Sequence, residues 1–155
     1  MAVTPAPAFD LTGHWAGKWS CKGFAAPFTR DGKLVNKFTS GRSESTLVIT
    51  QSGGTFGAVI DPGNGTYRYN GFSMNDVKDA NKGEVVLVGC STGNTLPPPD
   101  TGAEILRAAV KTKGDTFKAS FKGVSLFADD LPEVETCKYT YKRIDTADPG
   151  VALCQ

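Results

Sequence analysis

One histidine, His14, is all the imidazole chemistry that this chain of 155 residues carries, and that scarcity excludes more than any motif adds. A Ser-His or Cys-His nucleophilic pair needs its histidine beside a hydroxyl or thiol. His14 has no such neighbour, and strand alternation sets it on the side opposite Trp15 and Trp19, so it reads as a surface histidine. There is no Cys-x-x-Cys pair and no histidine cluster, which removes support for a zinc site or a thioredoxin-type motif. Charge of one sign is also missing. Seventeen basic side chains meet sixteen acidic ones for a net +1 without a run of either, so no electrostatic footprint for a polyphosphate backbone is legible and nucleic acid is not expected as a partner. No apolar stretch approaches the roughly 20 residues that cross a bilayer as a helix. The expectation is a soluble chain without a membrane span.

What is abundant points to β-structure. Eighteen glycines and nine prolines imply many turns rather than long helices, and a chain of this length makes one ordinary domain. Residues 1–10, rich in Pro and Ala, read as an extended N-terminal segment; residues 11–155 read as a single barrel domain. The segment lacks the long apolar core of a signal peptide and resembles a mature N-terminus left by leader removal. Four cysteines, Cys21, Cys90, Cys137 and Cys154, are read as two disulfides, which implies an oxidising, periplasmic or secreted location. Four reduced core cysteines are the alternative.

The most informative stretch is residues 11–21, where Trp15, Gly17, Trp19 and Cys21 recur at period two on one strand face. Large side chains with an intervening glycine suit the opening strand of a small closed barrel. Residues 23–43 are Gly-, Lys-, Ser- and Thr-rich yet carry Phe24, Phe28 and Phe38, and are read as a segment folding over a barrel mouth as a lid. Residues 45–51 and 55–61 form a hairpin about Ser52-Gly53-Gly54. After Pro62-Gly63-Asn64-Gly65, residues 66–74 put Tyr67 and Tyr69 on one face; residues 83–90 are a buried apolar strand. Residues 104–113 are compatible with strand or with two helical turns, and strand is favoured because residues 116–123 then complete a hairpin with Phe117, Ala119 and Phe121 inward. Residues 134–144 align Cys137, Tyr139, Tyr141 and Arg143.

Eight strands joined by sequential hairpins predict an all-β fold, an eight-stranded antiparallel up-and-down β-barrel that removes its sheet edges by pairing first strand with last. Antiparallel closure can set Cys21 opposite Cys137, Trp19 opposite Tyr139 and Gly17 opposite Tyr141 in one register. A Cys21 to Cys137 bond across the seam follows as a hypothesis, and by elimination a Cys90 to Cys154 bond holding the C-terminal tail to the wall.

The step Gly13-His14-Trp15 after Asp10-Leu11-Thr12, with eight strands, resembles the calycin superfamily of lipocalins, avidins and related barrels, whose first strand opens with Gly-x-Trp. The resemblance implies a lipocalin-like barrel for ligand binding, and a cysteine near the C-terminus matches one that many lipocalins bond to the wall. Residues 16–20 depart from the Asn and Ser residues with which avidins hold biotin. Haem barrels of similar shape use a histidine near the C-terminus, whereas His14 stands at the start.

The inward aromatics Trp15, Trp19, Tyr67, Tyr69, Phe117, Phe121, Tyr139 and Tyr141, with Arg143, are the candidate ligand-binding set. They line a pocket or fill it, and an eight-stranded barrel permits either. The acidic pairs Asp129-Asp130 and Asp76 with Asp79 are candidate acids or oxygen ligands whose ordinary reading is a solvated loop. Asn64-Gly65-Thr66 fits the glycosylation sequon and equally a plain turn. No catalytic constellation, metal site or cofactor is assigned. Non-catalytic binding of a small, largely apolar ligand is the first functional expectation. The second is a protein-binding module, such as a barrel-type protease inhibitor acting through residues 1–10 and its loops.

Overall fold

The computed structural model describes residues 10–30, 33–63, 65–75, 79, 81–90, 93, 95, 104–113, 115–126 and 132–154; at 21, 23–30, 33–42, 75, 104–110, 113, 121–126 and 132–135 the backbone is described. Its strands are β1 (Gly13–Arg30), β2 (Lys33–Ser52), β3 (Thr55–Asp61), β4 (Tyr67–Asn75), β5 (Lys82–Gly89), β6 (Glu104–Lys113), β7 (Thr116–Leu126) and β8 (Pro132–Asp145). Each pairs antiparallel with the next, and β1 returns to β8, giving a closed eight-stranded up-and-down barrel. The ambiguous residues 104–113 are strand, because β6 pairs with β5 on one side and β7 on the other. A helix there would leave two edges open.

Alternation decides which side chains fill the interior. Trp15 on β1, Leu47 and Ile49 on β2, Phe56, Ala58 and Ile60 on β3, Tyr69 on β4, Val85 and Leu87 on β5, Phe117 and Ala119 on β7, and Cys137 and Tyr141 on β8 are all buried. At the seam, Gly17 faces Tyr141, Trp19 faces Tyr139 and Cys21 faces Cys137, the register expected from the sequence among those that parity allows. Cys137 is wholly buried and disulfide-bonded. Gly17 cannot be exchanged for a larger residue, since a Cβ there would lie 2.1 Å from the Thr140 carbonyl oxygen and 2.7 Å from the Tyr141 ring. The glycine lets β1 bend under the tyrosine.

Residues 23–30 and 33–43 differ from the loop expected of their composition. They continue β1 and β2 as paired strands, with Gly23 opposite Phe38 and Phe24 opposite Lys37. Beyond the pair Thr46 and Asp61, where β3 ends, β2 relies on β1, and β1 relies in turn on β8 as far as Ala25 opposite Glu133. Cross-strand pairing to two partners thus overrides the turn-like composition. The side chains of Phe24, Phe28 and Phe38, and with them a lid, lie outside the described residues.

After β8 the chain crosses the outer wall as a strap. Asp148 accepts from the Thr50 hydroxyl, which accepts in turn from the Val151 amide; Arg68 donates to the Ala152 carbonyl, and Asn70 exchanges two hydrogen bonds with the Cys154 backbone. The Cys90–Cys154 disulfide, Cα atoms 6.0 Å apart, fixes the end. Gly57 beneath makes the close approach possible, because a Cβ there would meet the Val151 carbonyl oxygen at 2.8 Å. Cys154→Ser should destabilise the protein by about 2–4 kcal/mol in urea unfolding. Fast amide exchange should be confined to residues 146–154; exchange spreading through β6 and β7 would show the strap to be part of the barrel core.

Candidate functional site

One end of the barrel is shut by the chain itself. Leu11 enters the interior with 1% of its surface exposed, and the Trp15 indole Nε1 donates to the Leu11 carbonyl at 2.9 Å. Arg143 lies over the Trp15 ring, its guanidinium carbon 4.3 Å from the ring centroid, and donates to the carbonyls of Thr12 at 2.6 Å and Asp10 at 2.7 Å. A cation on an indole face, with its donors spent on otherwise orphaned carbonyls, makes a tight closure. Arg143, a candidate ligand anchor on parity alone, is therefore engaged with Trp15 and residues 10–12.

Above this closure the interior is filled. Phe117 meets Trp15 edge-on at 5.8 Å and stacks on Tyr141 at 5.9 Å, and Tyr139 stacks on Tyr141 at 6.0 Å. The cavity bounded by Leu11, Leu47, Phe56, Leu87, Phe117 and Tyr141 holds only about 30 Å³. That is room for about one water molecule. The Tyr141 hydroxyl is satisfied internally by Ser45 at 2.7 Å, and Ser45 is itself buried.

The opposite half is different in character. Trp19, Tyr67 and Tyr139 pack against the core but stay partly exposed, and Tyr67 leans on buried Tyr69 at 6.5 Å between ring centroids. Trp19 carries the one buried side-chain polar atom among the described residues that has no hydrogen-bond partner, its indole Nε1. A buried donor left without an acceptor costs about 1–3 kcal/mol. The two tryptophans of the first strand are thus unlike: Trp15 is sealed and satisfied, Trp19 half-open and unsatisfied.

The candidate set divides accordingly. Trp15, Phe117, Tyr141 and Arg143 belong to the closed end; Tyr139 borders the same small cavity and stands opposite Trp19, while Trp19 and Tyr67 are partly buried against the core. The Phe121 backbone stands opposite Cys137 on β7, and its side chain lies outside the described residues. Leu11 was not singled out from sequence, although its place on the same parity as Trp15 was a legible signal. Neither was the surface recess of about 420 Å³ beside Lys18, Glu44, Thr46 and Asp61, which exists only because β3 stops while β2 runs on.

Of the titratable candidates, His14 is on the surface, where its Nδ1 donates to Asp145 at 2.8 Å, and that bond holds the Asp145 carboxyl below its usual range. Asp79 is likewise lowered, first by its bond to Lys82 at 2.7 Å. Asp76, Asp129, Asp130 and Asn64 lie outside the described residues. Among the described residues, no three His, Cys, Asp or Glu side chains gather to hold a metal, and no helix is long and apolar enough to cross a membrane. The chain matches no protein-family model, no curated protein and no solved structure.

Burial pushes the Tyr141 phenol up to about 12 from 10.0, its bond to Ser45 opposing the shift. The unfolded chain ionises first, near pH 10, so the native state retains the proton between pH 10 and 12. Stability is fully present below pH 10 and falls through that window by up to about 3 kcal/mol. Tyr141→Phe should flatten the decline while lowering neutral-pH stability by about 1 kcal/mol through the stranded Ser45 hydroxyl. Urea midpoints of both proteins at neutral and alkaline pH test this; an unchanged slope would remove Tyr141 as its source.

Proposed function

We propose that this protein is a non-catalytic carrier of a small, largely apolar molecule that bears one hydrogen-bond acceptor, held in the half of the barrel away from the Trp15–Arg143 closure. The observation that carries this reading is the indole Nε1 of Trp19, a buried donor on the inward face of β1 without an acceptor. Tyr139 stands opposite Trp19 on β8, and it and Tyr67, both half-exposed beside the core, supply apolar contact area in this half. Small-molecule sites combine such area with a few placed polar groups. The filled interior toward Trp15 directs any ligand to the Trp19 half, since about 30 Å³ admits nothing larger than water.

The Gly13-His14-Trp15 opening and the eight-strand closure support placing the chain with the calycin-type carriers, lipocalin-like in function as in architecture. The Cys90–Cys154 disulfide supports an extracytoplasmic, periplasmic or secreted location. For a protease-inhibitor role the deciding residues are 1–9, outside the described residues, and no observation favours it.

The test compares two probes of one skeleton, 2-undecanone and undecane, each displacing a fluorescent naphthalene dye. The ketone should bind about tenfold more tightly, as one hydrogen bond in a dry site allows, and in Trp19→Phe the two should bind alike. Failure of both probes to displace dye, or a ketone preference that survives in Trp19→Phe, would contradict the reading.

A further inference from the structure

The net charge of +1 conceals a segregated surface. On β1, β6, β7 and β8 the outward positions carry Lys18, Lys22, Lys111, Lys118, Lys138 and Lys142, all exposed. Between them stand Ser20, Thr116, Ser120, Thr136 and Thr140, and the acidic residue at the described exposed positions of these four strands is Asp145 at the end of β8, which is held by His14. The other wall carries most of the described acids, Glu44 on β2, Asp61 on β3, Glu84 on β5 and Asp148 on the strap, together with Arg68 on β4 and Lys82 on β5. The boundary is marked by Lys18, 71% exposed, whose Nζ is 3.6 Å from Glu44. A surface shaped only for solubility intersperses the two signs.

The register arranges the lysines as a checkerboard. Thr140 stands opposite Lys18 on one side and Lys118 on the other, Lys138 opposite Ser20 and Ser120, Thr136 opposite Lys22, and Lys142 opposite Ala16 and Thr116. Lys138 thereby has Lys18, Lys22 and Lys118 as diagonal neighbours, at about 7–8 Å between backbone positions. Lysine faces lysine directly at Lys111, which stands opposite Lys118 on one side and Lys82 of β5 on the other. The array spans roughly 20 Å along β8 and about 14 Å across the strands. It extends in two dimensions, with no arginine or aromatic at its described positions to grip a phosphodiester bidentately or to stack on a base.

We propose that the β6–β7–β8–β1 wall is a docking surface for the anionic headgroup face of a lipid bilayer. Lysine is a hydrated point charge on a flexible stem, so the flanking residues reach a plane that the convex wall meets along β7 and β8. The interspersed hydroxyls donate to phosphate oxygens. The exposed apolar side chains beside these lysines are Ala16, opposite Lys142, and Ile144, two residues after it, so contact is chiefly electrostatic adsorption. The inference rests on charge and register and is independent of the ligand reading.

Vesicle co-sedimentation of the intact, disulfide-bonded protein tests it. Vesicles of phosphatidylcholine alone should leave it in solution. Vesicles with one phosphatidylglycerol in three lipids should bind it at low salt and release it at about 0.5 M salt. Each lysine near an anionic leaflet is worth about a factor of five. The triple variant Lys118→Gln, Lys138→Gln, Lys142→Gln should therefore partition on the order of a hundredfold less, with an unchanged thermal midpoint, whereas Glu84→Gln on the far wall should bind as the parent does. Three outcomes would overturn the proposal: no binding to the anionic vesicles at low salt; binding that the triple variant retains; or lysine-dependent binding to a random-sequence DNA duplex with none to vesicles, which would make the partner a nucleic acid.

Discussion

Everything else in this fold depends on β1 closing against β8. An open sheet of eight strands would present two long edges of unpaired backbone groups, and the seam removes both while bringing the two chemically richest strands face to face. At its lower end Arg143 of β8 covers Trp15 of β1 and ties down the carbonyls of Asp10 and Thr12, so strand pairing, aromatic burial and the path of the entering chain are set by one contact. Gly17 is the permissive element: its missing side chain lets Tyr141 lie against β1, and Tyr141 then orders Phe117 and Tyr139 by stacking. A single polar pair, Ser45 and Tyr141, sits inside this layer fully satisfied, as a dry interior demands.

The closure also divides the barrel into unequal halves. Near Trp15 the aromatics fill the space; near Trp19 they remain half-buried and one donor is left unmatched. Native interiors seldom tolerate such a donor. Its persistence beside tyrosines at the less buried half, opposite a sealed base, is the observation on which the proposed ligand reading rests.

Much of this was legible in sequence because strand alternation is strict. Trp15, Gly17, Trp19 and Cys21 against Cys137, Tyr139, Tyr141 and Arg143 allow a register that keeps every large side chain inward and pairs cysteine with cysteine, and the Cys90–Cys154 bond followed as a hypothesis by elimination. Residues 23–30 and 33–43 were illegible as strands because glycine, serine and lysine carry little strand signal; their pairing comes from neighbours distant in sequence. The division of labour between Trp15 and Trp19 was hidden as well, since both share one face and differ only in what reaches their indole nitrogens. The basic wall escaped notice for the opposite reason. Its lysines never form a run, yet Lys18 and Lys22, like Lys138 and Lys142, are spaced by four, which on a strand is one face, and three strands repeat that side outward.

The central claim concerns the Trp19 indole, and the most direct measurement is the pair of indole signals in a proton–nitrogen correlation spectrum recorded with and without 2-undecanone. The Trp15 signal should be protected from solvent exchange throughout and stay in place, held by the Leu11 carbonyl. The Trp19 signal should shift downfield and gain exchange protection when the ketone is added. A Trp19 signal already protected in the bare protein and unmoved by the ketone would contradict the account, leaving a barrel filled along its length.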